Sequence, residues 1–150
     1  MGKTMHLRAM LPRIIFFGIV AILLFAELWF SNWGTLTNNL TGIATLMGLT
    51  VPEERTRLLI LIALDAIGGG GAILALVGCL LDRAMLRRVG AMIAAVGLVL
   101  YGLYQLLAAF TQLPPELQMT IGLIGVVYIG IGVVAWVVGT RPTPDAHPAT

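Results

Sequence analysis

The chain has 150 residues, of which 59% are hydrophobic and 11% charged, and its mean hydropathy is +0.98, too oily for a water-soluble domain, where about 25% of residues carry charge. The formal net charge of +2 does not point to nucleic acid, because that would need a basic patch on a soluble surface. A single cysteine, Cys79, excludes an internal disulfide, a CxxC redox pair and a thiolate metal cluster.

Four apolar runs organise the chain. Residues 14–30 carry one charge, Glu27, and residues 58–81 carry one, Asp65; residues 89–113 and 117–140 carry none. A bilayer core about 30 Å thick is crossed by about 20 helical residues. Backbone polar groups in hydrocarbon must be satisfied internally, which leaves helices or a closed barrel. Unbroken runs without inside-out alternation exclude the barrel. The expected fold is therefore all-α: an antiparallel bundle of four transmembrane helices forming a single domain over residues 1–150.

The first span is expected at about 12–33, with Pro12 in the first helical turn, where its missing N–H costs nothing. Its basic leader resembles that of a signal peptide. The run is longer than a typical h-region and ends in Trp29, Phe30 and Trp33 instead of small residues, so a retained helix is expected. In the following loop Leu36, Leu40, Ile43 and Met47 recur at helical spacing. That predicts a short amphipathic helix on the outer membrane surface, ended by Gly48 and Val51-Pro52.

The second span, 58–81, contains Gly68, Gly69, Gly70 and Gly71, continued by Ala75 and Cys79 as a small-residue stripe. Short turns at 82–88 and 113–116 make the second, third (89–113) and fourth (117–140) spans antiparallel neighbours. In the fourth span Gly125, Gly132 and Gly139 recur every seven residues and Trp136 anchors the end. The tail 141–150 holds three prolines and is expected to be disordered. Lys3, Arg8, Arg13, Arg83, Arg87, Arg88 and Arg141 fall on one side, against Arg55 and Arg57 on the other. The positive-inside rule then places both termini in the cytoplasm, with a bacterial cytoplasmic membrane as the expected location.

Charges inside a bilayer are expensive, at least about 2.5–3.5 kcal/mol each, and so are functional clues. By helix rise, Glu27 lies roughly 9 Å and Asp65 roughly 12 Å below the outer surface. Tyr104 and Gln105 share that depth, and Tyr101 lies one turn deeper. These five residues could form an outward-facing pocket for a head group or a proton. The simpler reading is that they tie helices together through hydrogen bonds averaging about 0.6 kcal/mol. At least one carboxyl is expected to hold a proton unless Arg55 or Arg57 reaches down to it. His6 and His147 lie outside the spans as solvated terminal residues, which excludes an internal bis-His haem. No HExxH, nucleophile elbow or paired metal-ligand set occurs.

The order of several short motifs resembles the DoxX-like family of small four-span membrane proteins. Arg13 stands at the start of span one, and Met47-Gly48-Leu49-Thr50-Val51-Pro52 is similar to the family's turn at the end of the first loop. Asp65-Ala66-Ile67-Gly68-Gly69 resembles an acidic element before a glycine pair, and Leu80-Leu81-Asp82-Arg83 the next turn. The lysine common near the end of the family's first span is missing; Glu27-Leu28-Trp29 stands there. The resemblance implies association with membrane redox systems, including quinone-linked oxidoreductases, and in some branches assistance to other membrane proteins, and it singles out Asp65 and Arg13.

The first functional expectation is an accessory subunit of a larger membrane assembly, respiratory or otherwise redox, without independent catalytic activity. The small faces of spans two and four (Gly68, Gly69, Gly71, Ala75, Gly125 and Gly132) exceed what one bundle needs, which would leave a face for other integral membrane subunits. The second is a quinone- or lipid-binding protein with no covalently bound cofactor and no metal. A small transporter or proton pathway comes third, because the spans lack an inverted repeat.

Overall fold

The computed structural model describes residues 2–143, so the tail expected to be disordered lies, from 144 onward, outside the described residues. In chain order the elements are α1 (Gly2–Ala26), a π-helical segment (Glu27–Trp33), α2 (Gly34–Asn38), α3 (Leu40–Met47), α4 (Val51–Leu80), α5 (Ala84–Thr111) and α6 (Pro115–Thr140). Four helical stretches among the described residues are long and apolar enough to cross a membrane: Thr4–Asn38, Val51–Leu80, Ala84–Thr111 and Pro115–Thr140. The fold is an all-α, four-helix membrane bundle, with both described ends on one side and the α2–α3 loop on the other.

Local chemistry explains where the helices depart from the expected boundaries. The first helix begins at Gly2, so Pro12 sits inside it and not in its first turn. Proline lacks the N–H that would bond back to Arg8, so one rung is lost there. Helix α4 begins seven residues before the apolar run because Thr50 caps it. The Glu53 N–H donates to Thr50 Oγ1 at 3.4 Å, and the Thr50 N–H donates to Glu53 Oε2 at 2.8 Å. Pro52, in the first turn, is harmless to it. Helix α3 ends where expected, at Gly48, whose φ of 68° only glycine adopts without strain. At the opposite end His6 Nε2 lies 2.6 Å from Asp82 Oδ1 in the α4–α5 turn. His6 thus docks α1 onto that turn, contrary to the expectation of a solvated terminal residue.

Glycine sets the packing. A Cβ added at Gly71, Gly78, Gly90 or Gly97 would run into backbone atoms of the facing helix, so α4 and α5 touch main chain to main chain. Gly102 and Gly125 do the same between α5 and α6, and Gly132 seats against Val99 and the Ala95 carbonyl. Gly69 accommodates the Phe25 ring, and Gly68 also meets Leu24, both on α1. Helix α5 is therefore the centre, with α4 and α6 pressed against it and α1 resting on α4 through side chains.

All six small residues expected to pack or to face a partner are engaged, or buried, inside this one chain. The glycines that looked surplus match Gly90, Gly97 and Gly102 on α5. The premise that they leave a face over for another subunit does not hold. Outward positions such as Ile22, Phe30, Leu107, Phe110 and Met119 remain exposed, as lipid contact requires.

Candidate functional site

The π segment shapes the loop end of the first span. In an α-helix residues four apart share a face, whereas i→i+5 bonding brings residues five apart into line. The Gly34 N–H bonds to the Trp29 carbonyl, five residues back. Glu27 and Asn32 are also five apart and both turn toward the bundle, while Trp29 and Phe30 stay exposed. Such segments occur mostly as single turns inside α-helices, frequently at functional sites.

Two short hydrogen bonds follow. Asn32 Nδ2 donates to Asp65 Oδ2 of α4 at 2.7 Å, and the Tyr101 hydroxyl of α5 donates to Glu27 Oε1 at 2.6 Å. The two carboxyls are near enough for their charges to interact, and the Tyr101 hydroxyl also senses Asn32 and Asp65. Tyr101 is held flat against Tyr128 of α6, with ring centroids 4.3 Å apart and planes 18° off parallel. All four membrane-crossing helices thus contribute to one polar layer. Asp65 is fully buried, and its Oδ1 has no hydrogen-bond partner.

Toward the loop end the layer continues weakly. Gln105 Nε2 approaches the Tyr101 oxygen at 3.5 Å, and Arg57 Nη1 approaches Gln105 Oε1 at 3.5 Å, both at the outer limit for a hydrogen bond. Arg57 instead grips Glu54 with two bonds of 2.8 Å from Nε and Nη2. That pair is buried: Glu54 is 0% and Arg57 5% exposed. Neither arginine that could have reached the carboxyls does so, since Arg57 is turned to Glu54 and Arg55 is exposed.

Of the five residues expected to form the site, the structure joins Glu27, Tyr101 and Gln105 in one string and brings Asp65 beside it. Tyr104 diverges. It is only half-buried and lines a separate shallow pocket with Pro52, Glu53, Thr56 and Gln112. The reason is angular: at about 100° per residue Tyr104 lies about 60° to one side of Tyr101 and Gln105 about 40° to the other, so the two point about 100° apart. The sequence reading missed Asn32, because at α-helical spacing it points away from Glu27. It missed the Glu54–Arg57 pair by treating residues 51–57 as loop, although the i, i+3 spacing was visible. Among the described residues no group of three or more His, Cys, Asp or Glu is placed to hold a metal ion. Comparison with protein-family models, curated proteins and solved structures found no match.

Proposed function

We propose that this protein is a small accessory component of a membrane redox assembly that engages the polar head of a quinone or lipid at its buried carboxyl layer. Asp65 carries the reading. It lies fully buried, uses one oxygen for Asn32 and leaves the other without a partner. A helix tie would need only an acceptor for the Asn32 amide, and an asparagine would supply that without the cost of an intramembrane acid. What a carboxyl adds is an exchangeable proton and a second oxygen free for a ligand. The ketone or hydroxyl of a quinone, or the polar groups of a lipid, are suited to both.

Asp65→Asn is the decisive variant. Wild-type protein drawn from native membranes in mild detergent is expected to carry quinone or lipid detectable by mass spectrometry, at several times the level in Asp65→Asn and Glu27→Gln. Circular dichroism should show the helices intact in all three. An unchanged complement of bound molecules in the two variants would refute the ligand site.

Membership of an assembly is supported by the resemblance in the motifs around Arg13, Asp65 and Asp82. The scarcity of chain outside the helices, with only short loops between them, supports it too. The orientation we propose follows from the basic residues gathered at the end with both described chain ends: that end faces the cytoplasm. Reporter fusions at each terminus are expected to be active only in the cytoplasmic mode, and activity of the two on opposite faces would overturn the topology.

A further inference from the structure

At the end of the bundle that carries both described ends of the chain, two arginines from different helices converge on the C-terminal end of α6. Arg13 and Phe17 share a face of α1, four residues apart, and Arg87 and Ala91 share one of α5. Gly139 packs against both the Phe17 ring and Ala91. The two arginines therefore lie one turn beyond it, over the C-terminus of α6. Arg87 Nε donates to the Gly139 carbonyl at 3.3 Å, and Arg13 Nη2 donates to the Pro142 carbonyl at 3.0 Å.

The Arg87 bond caps the last turn of α6 and the Arg13 bond holds the residue just past its C-cap, but together they leave charge over. The end of a helix amounts to about half a negative elementary charge, against two full positive ones here. Arg87 is 2% exposed, and Arg13 Nη1 is shut off from solvent with no hydrogen-bond partner. The two guanidiniums lie within electrostatic reach of each other and of the Cys79 thiol. Among the described residues the carboxylates in ion pairs have other partners: Asp82, which lines the adjoining cleft, pairs with His6, and Glu54 pairs with Arg57 at the far end. Beside the pair a cleft of about 610 Å3 opens between α1 and the end of α4, walled by the apolar Leu7, Met10, Cys79, Leu80 and Leu81 together with the polar Thr4, His6 and Asp82. Met10 is one helical turn from Arg13.

We infer that Arg13 and Arg87 form a binding site for the phosphate of an anionic membrane phospholipid, with an acyl chain lying in the adjoining apolar cleft. Guanidinium forks match phosphate oxygens in geometry and charge. Basic pockets between transmembrane helices near a membrane surface are suited to lipid head groups. The cleft is walled more by apolar than by polar side chains, which favours a lipid over free phosphate as the source of that group, with its chain along Leu7, Met10, Leu80 and Leu81 and away from Asp82. This site lies at the opposite end of the bundle from the carboxyl layer and is independent of it.

Native mass spectrometry of the full-length, delipidated protein tests the assignment, with phosphatidylglycerol, phosphatidylcholine and inorganic phosphate added in separate titrations. Phosphatidylglycerol should bind at least about fivefold more strongly than phosphatidylcholine, and Arg13→Gln should remove about fivefold of that preference, as expected per basic residue at a membrane surface. Arg87→Gln should act the same way. Because burial makes it the variant more prone to misfold, half-buried Arg13 carries the test alone if necessary. The exposed neighbours Arg83 and Arg88 serve as controls, and Arg83→Gln and Arg88→Gln should keep the preference. Equal binding of the two lipids, or equal losses in the Arg88→Gln control, would overturn the site. Arg13-dependent binding of inorganic phosphate without any lipid preference would overturn the lipid as its source.

Discussion

Gly90→Ala is expected to destabilise the bundle by on the order of 3 kcal/mol, near the top of the usual range for overpacking. The added methyl would collide with the Ala75 amide nitrogen, the Gly71 carbonyl oxygen and the Ala75 Cα, all main-chain atoms of α4. Side chains can rotate away from a new neighbour, whereas a helix backbone can only move as a whole. Relief therefore requires α4 and α5 to separate, which would also disturb the contact of Gly97 with Gly68. Gly70→Ala is the matched control. It is exposed on α4 and a Cβ there meets nothing within 4 Å, so it should be neutral or gain up to about 1 kcal/mol from reduced backbone entropy. Reversible unfolding in mixed micelles, followed by circular dichroism, compares the two. Equal stabilities for the two variants would show that the α4–α5 seam is not held by close backbone approach.

Arg57→Leu is expected to cost about 3–5 kcal/mol, because it leaves the fully buried Glu54 carboxylate without its partner. The pair itself is a weak source of stability, since both charges had to be stripped of water to form it. The double variant Glu54→Leu/Arg57→Leu should accordingly recover most of the loss. Its stability should be little affected by salt, as should that of the wild type, since ions do not screen a pair sealed at 2.8 Å inside the protein. The same unfolding assay on the two single variants and the double variant gives the coupling energy directly. Losses that simply add would mean the two residues act independently.

The four spans were legible because hydrocarbon thickness and the need for internal backbone bonding admit few solutions for runs like 58–81 or 117–140. The end of α3 was legible too, from Gly48. Where helices began was harder to read, since Thr50 and Glu53 stabilise a start well before the apolar residues and hydropathy does not register a cap. The carboxyls and Tyr101 announced themselves as costly or polar groups at one depth. Depth alone could not separate Tyr104 from Gln105; helical angle did. Gly90, Gly97 and Gly102 passed unnoticed because they are scattered among larger residues, and only their alignment with Gly71, Gly68 and Gly125 reveals a seam. Arg87 looked like one more basic residue of a turn. Its burial depends on Gly78, whose missing side chain lets the Arg87 backbone close onto α4, and on the Gly139 carbonyl of α6, which takes its Nε–H.

The widened turn at Glu27–Trp33 changes the rotational bookkeeping of the first span. Each residue of an α-helix advances about 100° around the axis, so a wheel drawn straight through this segment misorients everything beyond it. Labels or cross-links placed from Gly34 onward by such a wheel would report the wrong neighbours. Distances measured there need the five-residue phase of the segment as their zero.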